Sequence, residues 1–169
     1  MARLFRKILV PHDFSEPATA ALRVAADLAA GWTGRITVLH VVVPYVAIAG
    51  VPPMNGAVWT PPPDLADDKR RLSALVARTL RGRRVRVACE VILGDPYQRI
   101  VAAARRHDSI VMATEGRTGL SHLLIGSVAE KVVRHATVPV LIVRPTAARR
   151  AGRAGSARRR RARAARRRR

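Results

Sequence analysis

The chain is poor in aromatic and acidic residues, and it contains a single cysteine. Aromatic side chains make up 4% of its 169 residues. The lone Cys89 excludes an internal disulfide framework, and its strand-like surroundings indicate a small buried side chain. No apolar run approaches the roughly 20 residues that a membrane span requires, and no secretory signal precedes the first strand pattern. These absences are consistent with a cytoplasmic protein that has no membrane partner.

Positive charge is in large excess and is concentrated at one end of the chain. The sequence has 32 basic and 11 acidic residues, with a formal net charge of +21. Of the 32 basic residues, 12 are arginines between Arg149 and Arg169, a stretch without an acid, so 20 basic and 11 acidic residues remain elsewhere. Residues 147–169 contain only Ala, Arg, Gly and Ser and have nothing to bury. We therefore predict one folded domain over residues 1–146 and a disordered arginine-rich tail over 147–169.

Short apolar runs alternate with helical patterns along the predicted domain. The apolar runs predict strands over 8–11, 36–43, 85–93, 109–113 and 138–143, and the helical patterns lie over 18–30, 64–80, 95–106 and 127–135. Ser15 and Pro17 mark the start of the first helix, and the proline-rich residues 44–63 predict a long surface loop. Alternation of this kind predicts an α/β fold, in which a parallel sheet has helices on both faces.

Two glycines and a serine separate the strand predicted over 109–113 from the helix predicted over 127–135. Gly116 and Gly126 let the backbone approach an anion closely, and the start of the helix favours negative charge. Ser127 adds a hydroxyl that acts either as the helix N-cap or as a ligand to phosphate or its metal. The segment is neither a Walker A motif nor a G-x-G-x-x-G motif. Taken alone, such a pair of glycines is more often a pair of ordinary turn residues.

The wider pattern resembles the universal stress protein family. The resemblance rests on the spacing G-x9-G-S from Gly116 to Ser127, with the helical pattern and the Val138-Pro-Val-Leu-Ile-Val143 run that follow it. Lys7-Ile-Leu-Val-Pro-His-Asp-Phe-Ser15 resembles the family's first strand and turn, and Gly94-Asp-Pro96 resembles the exit of its third strand. The resemblance covers residues 6–145. The family's nucleotide-binding pattern is G-x2-G-x9-G-S/T, and Ala113 stands here at its first glycine.

The resemblance implies a Rossmann-like, doubly wound sheet of five parallel strands in the order 3-2-1-4-5. The first and fourth strands then lie side by side where the order reverses, and sheets of this type bind ligands there. The implied ligand is an adenine nucleotide, ATP with Mg²⁺ or Mn²⁺. The predicted cofactor-binding residues are Pro11, His12, Asp13, Val41, Met112, Ala113, Gly116, Arg117, Gly119, Gly126, Ser127 and Val128.

Several of these residues have a structural role as an alternative to binding. Asp13 either hydrogen-bonds the adenosine moiety or serves as an acid at the start of a helix. His12 either stacks on adenine or fills a turn, and we expect it to fill the turn. Val41 and Met112 are expected to belong to the core while they adjoin the base.

The glycine-rich segment also contains charged residues. Gly116 is expected to offer a backbone N–H to phosphate, and Gly119 is expected to provide loop flexibility. Arg117 either contacts phosphate or is solvated, the commoner outcome for a surface arginine. Glu115 is either a metal contact or an unfavourable exposed charge beside the phosphates.

The sequence contains no recognisable catalytic group or metal-binding motif. Its five histidines are scattered, and no serine lies in a G-x-S-x-G setting. We therefore expect an ATP-binding regulator or sensor of the stress response, which dimerises through the strand predicted over 138–143. The alternatives are a nucleic-acid-associated protein that binds phosphates nonspecifically through its tail, and a weak ATPase.

Overall fold

The computed structural model describes residues 5–43, 64–114 and 126–144. Strands and helices alternate throughout these ranges, in the predicted order. The elements are β1 (Lys7–Pro11), α1 (Glu16–Gly31), β2 (Arg35–Val42), α2 (Leu65–Thr79), β3 (Arg86–Leu93), α3 (Pro96–Ala104), β4 (Ser109–Ala113), α4 (Ser127–His135) and β5 (Val140–Val143). The predicted loop over 44–63, the domain limit at 146 and the tail over 147–169 lie outside the described residues and stay predictions.

The described strands form one parallel sheet in the order β3-β2-β1-β4-β5. The predicted fold class and strand order are therefore confirmed. From β1 the chain moves to one side through β2 and β3, then returns across the sheet to β4 and β5 on the other side. The order reverses between β1 and β4, which pair through Ile8 with Ser109 and Leu9 with Ile110.

Helices cover both faces of the sheet, so the apolar core has two parts. On one face Ile8, Val10 and Ile36 pack with Leu22 of α1 and Leu72 of α2. On the other face strand side chains pack with Ile100 of α3 and Val132 of α4, and these strand side chains are Leu9, Leu39, Ile110 and Met112. Successive strand residues point to opposite faces, and both faces are buried, which explains the uninterrupted apolar runs.

Cys89 was predicted to be buried, and it is only half-buried because it lies in an edge strand. Cys89 lies in β3, at one edge of the sheet, and packs against the first core while remaining half-buried. Burial raises the pKa of its thiol, and a hydrogen bond from Ser73 and the charge of Lys69 oppose that rise. Cys89 is therefore less enclosed than its sequence pattern predicts.

Three of the four described helices begin at a side-chain cap. Ser15 Oγ accepts from the N–H of Ala18 at 3.2 Å, which agrees with the prediction from sequence. Asp64 caps α2, and Asp95 accepts from the N–H of Gln98 at 2.8 Å at the start of α3. These caps satisfy amide groups that the first turn of a helix leaves unpaired.

Candidate functional site

The carboxyl ends of β1 and β4 open a crevice at the point where the strand order reverses. β1 ends at Pro11 and leads into α1 on one face of the sheet, whereas β4 ends at Ala113 and leads towards α4 on the other. Because the chain departs to opposite faces, none of the described helices covers the space between these two ends. The walls of the crevice are the β1–α1 turn and the start of α4.

The β1–α1 turn is held in an uncommon backbone conformation. The carboxylate of Asp13 accepts from the N–H of Ser15 at 3.0 Å, and Ser15 then caps α1. Phe14, between them, has a φ of 66°. Such a conformation is uncommon in residues other than glycine and costs on the order of 1 kcal/mol or more. The flanking hydrogen bonds offset that strain and fix the position of Asp13 at the edge of the crevice.

His12 is built into this turn as a neutral ring. Its side chain is 3% exposed, and Nδ1 accepts from the N–H of Phe14 at 3.0 Å. The hydroxyl of Thr19 donates to the carbonyl of Ser15 at 2.9 Å, so it accepts from Nε2 of His12 at 3.3 Å. Burial lowers the pKa of His12 to about 4, with Asp13 opposing and His40 adding to the shift. The ring fills the β1–α1 turn, below the edge of the crevice.

Two further side chains, His40 and Arg71, assemble around Phe14 and were missed from the sequence. His40, from β2, donates from Nδ1 to the carbonyl of His12 at 2.7 Å, and its ring centroid lies 4.6 Å from that of Phe14. The guanidinium of Arg71, from α2, lies 5.1 Å from the Phe14 ring centroid. No local signal in the sequence identifies these contacts, because each joins residues far apart in the chain.

The opposite wall forms where the backbone returns from β4 to α4. The carbonyl of Thr114 accepts from the N–H of Gly126 at 2.7 Å, so the two ends of segment 115–125 are joined by a hydrogen bond. A Cβ on Gly126 would lie 3.1 Å from that carbonyl oxygen, which is closer than ordinary van der Waals contact. Glycine is therefore favoured here by close approach.

α4 begins without a side-chain cap. Its N-cap is Gly126, which has no side chain, and among the described residues no side-chain cap hydrogen bond forms there. Ser127 is the first helical residue and is exposed, so it is not the N-cap that one reading of the sequence allowed. The amides of this turn and the positive end of the helix dipole are consequently available to an anion.

The remaining predicted binding residues lie close to the two walls or within the core. Met112 is 5% exposed in the second core, and Ala113 is 8% exposed in the first. Val41 and Val128 are partly buried and pack against the second core, and Pro11 is partly buried at the end of β1. Gly116, Arg117 and Gly119, with Glu115, lie outside the described residues.

Two kinds of feature were not found in the described ranges. No group of three or more His, Cys, Asp or Glu side chains in residues 5–43, 64–114 and 126–144 is placed to hold a metal ion. None of the described helices is long and apolar enough to cross a membrane.

The chain is similar to proteins of one family over most of its length. The model of the universal stress protein family matches residues 4–144. The universal stress protein MJ0531 of Methanocaldococcus jannaschii is 31% identical over 145 residues, which cover 83% of each chain. A solved structure of a family protein from Burkholderia pseudomallei is 31% identical with a TM-score of 0.57, and the match covers 83% of this chain and 96% of that one.

Two solved structures that share the fold contain adenine nucleotides. A universal stress protein in complex with cAMP is 20% identical, has a TM-score of 0.56 and is matched over 83% of this chain and 98% of its own. An Arabidopsis thaliana family protein with AMP bound is 21% identical, has a TM-score of 0.54 and is matched over 83% and 92%. By its family match and its fold, the chain belongs to the universal stress protein family.

Proposed function

We propose that this protein binds ATP with Mg²⁺ or Mn²⁺ between the carboxyl ends of β1 and β4, and that the bound nucleotide makes it a cytoplasmic sensor or regulator of the stress response. The observation that carries the proposal is the uncapped first turn of α4, which lies at the reversal of strand order. Anions bind at such helix starts, and ligands bind at such reversals.

The phosphates are assigned to the α4 wall. The backbone N–H groups of Ser127 and Val128 lie in the first turn of α4, where no side chain competes for them. Gly126 brings the chain within hydrogen-bond distance of Thr114 and adds no side chain to the space in front of the helix. Gly116 and Arg117 are proposed to complete the phosphate contacts, and Glu115 is the proposed neighbour of the divalent cation.

The adenosine moiety is assigned to the β1–α1 wall. Asp13 uses one carboxylate oxygen to accept from Ser15, and a carboxylate has further lone pairs that suit ribose hydroxyls or an amino group. Val41 lies one residue before the end of the neighbouring strand β2 and is proposed to offer its backbone to the base. The AMP and cAMP in two proteins of the same fold support an adenine nucleotide as the class of ligand.

Ala113, which replaces the first glycine of the family pattern, is compatible with this proposal. It is 8% exposed and belongs to the first core cluster, together with Val111 and the neighbouring Val143. A methyl group packed into that core does not occupy the crevice. Ala113→Gly is therefore expected to change ATP affinity by less than about threefold.

Calorimetric titration with ATP and Mg²⁺ tests the site directly. Gly126→Asp is expected to abolish binding, because a carboxylate would stand in the phosphate space and repel the phosphates. Gly31→Asp is the control for the added charge, since a Cβ at Gly31 meets nothing within 4 Å and the charge is added far from the crevice. If the unaltered protein bound no ATP, or if both variants bound it equally, the proposal would be wrong.

We also propose that two copies of the chain associate through β5. β5 is an edge strand of the described sheet, so one row of its backbone groups has no neighbouring strand. Leu141 on this strand is 39% exposed, although it is a large apolar residue. Pairing of two edges about a twofold axis would satisfy the backbone and cover Leu141.

A second candidate function rests on the composition of the tail. Twelve arginines and no acid lie between Arg149 and Arg169, and this segment contains no aromatic residue that could stack on bases. Nonspecific binding to nucleic-acid phosphates is expected from such a segment. Deletion of residues 149–169 should remove most DNA affinity and leave ATP affinity unchanged. If deletion left DNA affinity intact, the tail would not be the binding element.

A further inference from the structure

Three basic residues stand side by side at the amino-terminal edge of the sheet. In the strand register Lys7 of β1 pairs with Arg35 of β2, and Arg35 pairs with Arg86 of β3. All three are exposed. Neighbouring strands are about 4.8 Å apart, so this row of cations crosses about 10 Å of the sheet edge. We call Lys7, Arg35 and Arg86 the basic row.

The basic row lies on the face of the sheet that α3 and α4 cover. Residues in register on parallel strands point to the same face, and Leu9 and Leu39, two and four positions beyond Lys7 and Arg35, pack in the second core. β3 lies at the far edge of that face, where Ala88, two residues after Arg86, is exposed. The row is therefore accessible along its length.

More arginines follow the end of α3 and enter the same area. The N–H of Asp108 donates to the carbonyl of Lys7 at 2.8 Å, and the carboxylate of Asp108 accepts from the N–H of Lys7 at 2.9 Å. These bonds hold the segment that contains Arg105 and Arg106 beside the row, and both arginines are exposed. Two acidic side chains adjoin this area, Asp108 beside the Lys7 amide and Glu90 at 3.9 Å from Arg106, so positive charge remains in excess.

Internal ion pairing does not account for the basic row. The ion pairs formed among residues 5–43, 64–114 and 126–144 include none of its three side chains. Like charges at neighbouring positions in the strand register repel one another. An external anion would relieve this repulsion.

We propose that the basic row is a binding surface for the sugar–phosphate backbone of nucleic acid, at the edge of the domain opposite the nucleotide crevice. A nucleic-acid strand presents negative charges along a line, and the row presents positive charges along a line. Two of its members are arginines, whose guanidinium groups bind phosphate through paired hydrogen bonds. A lipid headgroup offers isolated phosphates in a plane and would use only part of the row.

The basic row is separate from the nucleotide crevice and from the arginine-rich tail. Lys7, Arg35 and Arg86 are the first residues of their strands, whereas the crevice lies at the strands' carboxyl ends. The row belongs to the described domain, whereas the arginine-rich tail follows residue 146. On a long nucleic acid the contacts of the row and of the tail would both contribute to the affinity, because one polyanion can contact both.

The test compares charge-matched variants of the full chain on a labelled 20-base-pair duplex across a salt series. The row variant carries Lys7→Gln, Arg35→Gln and Arg86→Gln. The control carries Lys69→Gln, Arg70→Gln and Lys131→Gln, which remove the same charge from exposed positions on α2 and α4. Each phosphate contact contributes a slope of about −0.9 to log affinity against log salt, so the row variant should lose about 2 to 3 from the slope. The control should lose less than about 0.5.

Four further measurements distinguish DNA binding by the row from misfolding and from lipid binding. The row variant should keep its ATP affinity and a Tm at least as high as that of the unaltered protein, because like-charge repulsion is removed. With Trp59→Phe, Trp32 is the only tryptophan; it is 45% exposed three residues before Arg35, and its fluorescence should change when the duplex binds. Equal salt slopes for the row and control variants would overturn the proposal. So would a row variant that keeps its DNA slope but loses binding to phosphatidylserine vesicles.

Discussion

The stability of the β1–α1 turn depends on the protonation state of the His12 ring. Its Nδ1 accepts from the Phe14 amide, which stands in the left-handed region, and its Nε2 donates to Thr19. A second proton would remove the acceptor for the Phe14 amide and place a charge in a site that is 3% exposed. The depressed pKa of about 4 reflects mainly that burial.

The first prediction concerns the effect of low pH on the free energy of unfolding. The unfolded chain binds a proton at His12 near pH 6.5, whereas the folded protein binds it near pH 4, so stability falls as the pH decreases between these values. Between pH 7.5 and pH 5 the loss from this residue should be about 2 kcal/mol in the free energy of unfolding. Urea denaturation at the two pH values measures it.

Two variants identify the source of that loss. His12→Gln removes the titration, so its stability should differ much less between the two pH values. His135→Gln removes an exposed histidine at the end of α4 and should leave the full acid effect in place. A loss of the same size in His12→Gln would assign the acid sensitivity to other groups.

At the scale of single elements, the first turns of α3 and α4 differ in whether a side chain caps them. Asp95 caps α3 with its carboxylate, whereas Ser127 begins α4 without forming a cap. Asp95 therefore satisfies an amide at the start of α3, whereas no described side chain caps the start of α4, where the proposed nucleotide would bind.

The second prediction follows from this contrast. Asp95→Ala should lower the free energy of unfolding by about 1 kcal/mol, because a helix cap is lost, without changing ATP affinity. Ser127→Ala should leave stability within about 0.3 kcal/mol, because no cap is lost, and should weaken ATP binding by about three- to tenfold through loss of a hydroxyl contact. Urea denaturation and calorimetry of both variants provide the two readouts. A large loss of stability in Ser127→Ala would favour the capping role.

Local signals predicted most elements, and their ends depended on contacts elsewhere. β4 and α4 have the predicted limits, because an apolar run and a helical pattern are each bounded by turn residues. β5 begins at Val140, later than predicted, because Pro139 has no N–H to donate to the ladder. α3 ends at Ala104, where the amides of Arg106 and His107 bond three residues back and tighten the last turn.

The candidate site was predictable only where its determinants are local. The sequence indicated the turn after β1 and the glycine before α4, since both follow apolar strands directly. It did not indicate the positive φ of Phe14, the bond from His40 to the His12 carbonyl or the position of Arg71 over the Phe14 ring. These features arise when β2 and α2 pack beside the turn, so they depend on tertiary structure.

At the scale of the whole molecule, the third prediction concerns association through β5. If two copies associate through β5 as proposed, Leu141→Glu should weaken that association, because it places a charge on the strand that would pair with its partner. Leu93→Glu is the matched control, since Leu93 is 38% exposed on β3 at the opposite edge and Leu141 is 39% exposed. Light scattering over a range of concentrations measures both. A concentration-independent monomer for the unaltered protein, or equal effects of the two changes, would contradict association through β5.

The hydrogen bond between Thr114 and Gly126 has a consequence for engineering and divergence within this fold. The N···O distance of this bond is 2.7 Å, and Thr114 and Gly126 flank segment 115–125, so the described framework sets where the segment begins and ends. Doubling the length of a flexible loop between fixed ends costs only about 0.6 kcal/mol. The segment can therefore be exchanged for one of different length or chemistry with little effect on the sheet. Grafting at these two residues offers a route to new ligand preferences on an unchanged scaffold.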